Sequence, residues 1–214
     1  HIHGFGGVDV MDNNIEGTLH TMSEGLLSTG VTSFLPTTLT SSYEQLLAVT
    51  ENIGARYQEA SGAKIRGIYF EGPYFTEKYK GAQNPAYMKD PRMDEFRAWQ
   101  KAANGLLNKI ALAPEREGVE EFVRTITGEG VTVALGHSNA TFDEAKKAVD
   151  AGASVWVHAY NGMRGLTHRE LGMVGAMYEL PHTYAELICD GHHVAPKACD
   201  ILLKQKGTEN IDLI

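Results

Sequence analysis

Short apolar runs alternate with longer stretches of helical periodicity along the whole chain. Thr32–Leu35, Ile65–Phe70, Ile110–Ala113, Val131–Leu135, Val155–Val157, Tyr184–Cys189 and Ile211–Ile214 each read as a strand, most of them closed by Gly, Pro or a polar residue. Between them, Ser42-Tyr43-Glu44-Gln45 opens a helix with a capping-box pattern, followed by Leu46, Leu47 and Val49. Val119, Phe122, Val123 and Ile126 recur at helical spacing after Gly118. Thr141-Phe142-Asp143-Glu144 is a second capping box, with Ala145, Ala148 and Val149 as its apolar stripe and an end near Gly152.

Strand and helix in repeated alternation predict parallel strands joined by crossover helices, in an open doubly wound sheet or a closed barrel. A nucleotide-binding turn would favour the open sheet, but His3-Gly4-Phe5-Gly6-Gly7 lacks the G-x-G-x-x-G spacing. The ionisable residues instead end many different strands, and in a barrel those ends converge on one mouth.

Chemistry gathers at those ends. Glu71 closes a strongly apolar strand, where a buried carboxylate is costly unless it is paired or bound to a cation. His137 and His158 follow consecutive strands, one helix apart, and His1-Ile2-His3 can turn two imidazoles to one side of an extended segment. Imidazoles and a carboxylate suit Zn or Fe. Of the adjacent His192 and His193, at most one can face a pocket. Arg169, in the Gly-rich stretch after His158, offers a planar fork to an anion. His20, His168 and His182 read as structural or exposed, and Cys189 as a core residue without a metal-spaced partner.

The 214 residues carry a formal net charge of -8, which argues against nucleic acid and anionic membrane as partners. It leaves room for a small anion held by one local Arg. Two cysteines and no apolar run of membrane-spanning length fit a reduced, cytoplasmic setting.

The blocks EGPYFTEKYKGAQNP, LGHSNATFDEA, HAYNGMRGLTHRELG and DGHHV, with the opening HIHGFGGVDVMD and the closing IDLI, closely resemble the N-acetylglucosamine-6-phosphate deacetylases of the amidohydrolase superfamily. The resemblance runs over essentially the whole chain. It implies a TIM-like (β/α)8 metal-dependent hydrolase barrel, of which residues 1–214 form an incomplete piece lacking the N-terminal β-domain and the last barrel strand region. It makes Glu71, His137 and His158 the principal metal ligands, and His1 and His3 ligands of a second ion. Ala82, Gln83, Asn161, Gly162, Arg169 and His193 fall at sugar-phosphate contact positions. Some members carry His where Gln83 stands; a neutral Gln shifts carbonyl polarisation toward the metal. The family's catalytic Asp is expected just after Ile214, so no catalytic acid–base residue is expected within the chain. The segment from Tyr74 to Pro91 resembles a substrate-covering loop. The implied reaction is hydrolysis of the acetamide of N-acetylglucosamine 6-phosphate by a cytoplasmic homodimer holding one or two divalent ions. Two alternatives stand beside it. An amidohydrolase acting on another amide would commonly use a carboxylated Lys at a strand end, where this chain offers Glu71 and Glu115. A non-catalytic sugar-phosphate-binding relative would lack the Asp.

Overall fold

The computed structural model describes residues 1–12 and 15–214. The chain forms two compact units: residues 1–73 with 92–110, and residues 74–91 with 111–214.

The first unit opens on a small antiparallel pair, β1 (Gly4–Phe5) and β2 (Val8–Asp9), before α1 (Ile15–Leu26). The strand expected at Thr32–Leu35 is two short ones, β3 (Ser33–Phe34) and β4 (Thr37–Thr38). Pro36 stands between them and has no N–H to continue a ladder. The expected strand Ile65–Phe70 also divides, into β5 (Lys64–Ile65) and β6 (Ile68–Glu71). Gly67 separates them at φ 155°, and a Cβ there would lie 2.1 Å from the Asn108 side chain. The pieces pair in parallel, β3 with β5 and β4 with β6. Helix α2 (Tyr43–Arg56) starts at Ser42, whose hydroxyl accepts from Gln45 N at 3.2 Å. The reciprocal half of that capping box is absent, because the Gln45 side chain takes the Ser41 hydroxyl instead. Helix α3 (Met93–Ala102) buries Phe96 and Trp99, and Trp99 packs on Phe70 with ring centroids 5.2 Å apart.

Strand β7 (Leu107–Leu112) begins three residues before its apolar run, because Asn108 and Lys109 break the alternation. The second unit then repeats strand and helix: α4 (Val119–Gly128), β8 (Thr132–Leu135), α5 (Phe142–Asp150), β9 (Val155–Trp156), α6 (Gly172–Glu179), β10 (Tyr184–Leu187), α7 (Pro196–Lys206) and β11 (Ile211–Leu213). Strands β8, β9, β10 and β11 pair in that order, all in parallel. Both halves of the Thr141–Glu144 capping box are made. The apolar faces of α4 and α5 are buried, as the helical spacing of Val119, Phe122, Val123 and Ile126 and of Ala145 and Ala148 requires.

Cys189 is exposed, not in the core. Alternation would turn residues 185, 187 and 189 inward together, but β10 stops at Leu187 and the alternation stops with it. Among the described residues no helix is long and apolar enough to cross a membrane.

Candidate metal centre

The first unit holds a cluster of His1, His3 and Glu71, whose potential ligand atoms lie within 4.8 Å of one another. Ile2 builds it. Its N–H donates to Thr37 Oγ1 and its carbonyl accepts from Thr37 N, both at 2.9 Å, so the residues on either side turn to the same face. His1 Nε2 lies 3.5 Å from one Glu71 carboxylate oxygen and His3 Nε2 3.1 Å from the other. Glu71, the last residue of β6, is 2% exposed. His3 Nδ1 lies 3.0 Å from the Thr37 carbonyl, which only an N–H can satisfy. A neutral ring would then aim the Nε2 lone pair at the carboxylate, so a proton or another cation belongs between them. Burial alone would lower the His3 pKa; hydrogen bonding and charge from Glu71, with the Thr37 carbonyl, reverse this and raise it.

The second unit holds His137 and His158, each two residues past the end of its strand. Both are buried, and their Nε2 atoms approach to 3.0 Å with the rings at 88°. Their backbones are strained: φ is 45° at His137 and 27° at His158. Such conformations cost about 1–3 kcal/mol each and persist only where the surroundings over-determine them. The Tyr79 carbonyl lies 2.9 Å from His137 Nδ1 and fixes the proton there, so Nε2 carries the lone pair. Gly81 and Gly162 flank the same ring; a Cβ at Gly162 would stand 2.9 Å from His137 Nδ1, at φ 60°. These are donor sets that fit a divalent cation: imidazole nitrogens and a buried carboxylate, with His3 and His137 oriented by carbonyls on their far sides.

The structure thus brings His1, His3 and Glu71 together in one unit and His137 and His158 in the other. Around His137 it also gathers the 79–83 stretch, with Gln83 buried and Ala82 exposed, and the Asn161–Gly162 turn. Asn161 N donates to the His158 carbonyl at 3.0 Å. Arg169 is exposed in the 157–171 loop. His193 is exposed in the 188–195 loop, where Asp190 organises it. One Asp190 oxygen accepts from the backbone N–H of His192 and His193 at 2.8 and 2.9 Å, and the other lies 2.6 Å from His193 Nδ1. Those two backbone donors and the His193 ring hold the Asp190 carboxyl well below the usual carboxylate range. Residues missed by pattern reading are the second layer: Tyr79 and Thr37 act through backbone carbonyls, which leave no mark on side-chain identity.

No protein-family model matches the chain. It is 43% identical over 202 residues, 94% of its length and 50% of the relative's, to an N-acetylglucosamine-6-phosphate deacetylase of Vibrio furnissii. It is 42% identical over 202 residues, 94% and 53%, to an N-acetylgalactosamine-6-phosphate deacetylase of Escherichia coli. The crystal structure of an N-acetyl-D-glucosamine-6-phosphate deacetylase of Mycobacterium smegmatis matches with a TM-score of 0.91 at 30% identity, over 100% of this chain and 56% of that one. A mutant of that enzyme in complex with N-acetyl-D-glucosamine-6-phosphate matches equally, with a TM-score of 0.91. The chain spans about half the length of the curated relatives it matches. Its α/β architecture with parallel strands is that of amidohydrolases. Within that class, its homologues in sequence and its neighbours in structure are N-acetylglucosamine-6-phosphate deacetylases.

Proposed function

We propose that the protein hydrolyses the acetamide of N-acetylglucosamine 6-phosphate, releasing acetate and glucosamine 6-phosphate in amino-sugar catabolism. The observation that carries this reading is the buried His137–His158 pair, its Nε2 atoms 3.0 Å apart, in a chain 43% identical to such a deacetylase. The proposed cofactor is one or two divalent ions, Zn or Fe. Glu71 with His137 and His158 would hold the principal ion, and His1 and His3 a second. The support is chemical: Glu71 is a buried carboxylate beside His1 and His3, and His137 and His158 are buried imidazoles, the Nε2 lone pair of His137 turned toward His158. A bound divalent ion supplies Lewis acidity toward the amide carbonyl and an acidified water. The chain's own residues orient these groups. The Tyr79 carbonyl keeps the His137 proton on Nδ1, and the Thr37 carbonyl does the same for His3. Ala82, Gln83, Asn161 and Gly162 would line the sugar, and Arg169 and His193 would take the phosphate. The general acid–base Asp is assigned to the position following Ile214, as the family resemblance implies. The same reading makes residues 1–214 part of one (β/α)8 barrel in a cytoplasmic homodimer.

The 42% identity to an N-acetylgalactosamine-6-phosphate deacetylase favours a second reading, in which the 4-epimer is the substrate. Comparing kcat/KM on the two sugar phosphates decides between them.

Arg169 tests the phosphate assignment. The chain is acidic, so a local donor must capture the anion, and charge-assisted bonds contribute about 1.5–3 kcal/mol. In the full-length protein, Arg169→Ala is expected to lower kcat/KM on N-acetylglucosamine 6-phosphate by about ten- to a hundredfold, the scale of one such bond. Activity on unphosphorylated N-acetylglucosamine should stay the same. Equal loss on both substrates points to a folding or metal defect, and loss on neither removes Arg169 from the site.

A further inference from the structure

Glu115 lies in the turn after β7. Its oxygens are already engaged. One accepts from Thr76 Oγ1 at 2.6 Å and from Asn139 N at 2.7 Å; the other accepts from Ser138 Oγ at 2.7 Å. Three donors on one carboxylate leave it poorly suited to be a ligand and well suited to be a clamp.

What it clamps is the backbone that follows His137, together with Thr76, the donor to the His137 carbonyl. Thr76, held by Glu115 through its hydroxyl, donates its own N–H to the His137 carbonyl at 3.1 Å. Ser138 and Asn139, the two residues after His137, are held directly. Ser138 extends the network into the following loop: its N–H donates to the Gly162 carbonyl at 2.9 Å, and its carbonyl accepts from Arg164 N at 3.1 Å. His137 itself sits at φ 45°, in the left-handed region that a side chain such as His seldom adopts. A strained residue is kept in place by neighbours that cannot relax, and Glu115 is the group that Thr76, Ser138 and Asn139 share.

We propose that Glu115 is a positioning residue: by fixing Thr76, Ser138 and Asn139 it holds the strained backbone that aims His137 at a metal ion. The inference rests on the reading of His137 as a metal ligand. Part of its effect passes through Ser138, so it should shrink when that connection is already cut.

The test uses the full-length protein and Zn2+, with affinity measured by competition against a chromophoric chelator. Glu115→Ala is expected to weaken Zn2+ binding by about ten- to a hundredfold, the usual effect of removing an outer-shell partner. Glu115→Gln keeps an acceptor for Asn139 N and should lose less; it carries the test if the Ala variant does not fold. In a Ser138→Ala background the Glu115→Gln effect should shrink. Ile126→Ala, in the core face of α4 and remote from the network, controls for general destabilisation. The proposal is overturned if both Glu115 variants bind Zn2+ within twofold of wild type. It is also overturned if Ile126→Ala, at a matched fall in metal-free Tm, weakens Zn2+ equally. Wild-type protein that binds no Zn2+ would remove the metal reading and this inference with it, a result distinct from either.

Discussion

Opposite ends of β9 and β10 each bury polar groups, and they do so by contrary means. Before β10, the Lys206 ammonium donates to the Leu180 carbonyl at 3.2 Å and to Thr183 Oγ1 at 2.7 Å. Thr183 Oγ1 also accepts from Trp156 Nε1 at 2.9 Å and donates to the Leu180 carbonyl at 3.0 Å. Donors and acceptors there are matched within the chain. After β8 and β9, His137 and His158 bring two ring nitrogens to 3.0 Å on backbones at φ 45° and 27°. One of those nitrogens is a lone pair by the argument from Tyr79, and the geometry is held by strain. Closed polar networks serve the fold. Two buried imidazole nitrogens brought together on strained backbones instead offer donors to a cation from outside.

The contrast fails most visibly at the histidines. His137→Asn and His158→Asn are each expected to lose the metal of the full-length protein, read by elemental analysis after gel filtration. Stoichiometric metal in both variants would put the two ends of the strands on the same footing. A smaller loss is expected from His1→Ala with His3→Ala: the metal-to-protein ratio should fall while the principal ion remains. An unchanged ratio would show that the Glu71 cluster is completed by a proton. Gly162→Ala adds a Cβ 2.9 Å from His137 Nδ1 at a backbone angle that favours glycine. Zn2+ affinity should drop about tenfold, the lower end of the outer-shell range, and urea denaturation should show a loss of about 1–3 kcal/mol.

Lys206→Met lies at the other extreme. Thr183 still donates to the Leu180 carbonyl in the variant, so stability at neutral pH should change by less than about 1 kcal/mol and metal content not at all. The pH dependence has a defined sign. Burial pushes the Lys206 pKa below its ordinary 10.5. Between its folded pKa and 10.5 the unfolded chain binds more protons, so wild type should gain stability relative to the variant as pH rises through that window. A loss there would mean that the ammonium is stabilised by the fold.

Much of this was legible in the order of residues. Period-two and period-3.6 patterns located the strands of the second unit and its helices α4 and α5 to within a few residues, because β8 and α4 bury continuous faces. The first unit was harder to read: Pro36 and Gly67 each cut one apparent strand into two, and local composition does not reveal which neighbour each half will pair with. Helices α3, α6 and α7 carry their apolar positions among polar or small residues and gave no clear stripe. The ionisable groups were recognisable at their strand ends, yet the atoms that orient them were not. Tyr79 and Thr37 use carbonyl oxygens that every residue owns, and the three donors that engage Glu115 come from segments far apart in sequence.

The 74–91 segment gives the chain a problem of timing. Tyr79 and His137 are joined by a 2.9 Å hydrogen bond across 58 residues of sequence. At ordinary translation rates of about 5–20 residues per second, Tyr79 leaves the ribosome roughly 3 to 12 s before its partner. Through that interval Tyr74 and Phe75, both fully buried in the finished protein, have no β8 loop to cover them. A nascent chain stalled between these positions would therefore present an aromatic, chaperone-attracting stretch, and synonymous codons that slow synthesis there would lengthen its exposure without changing a single residue.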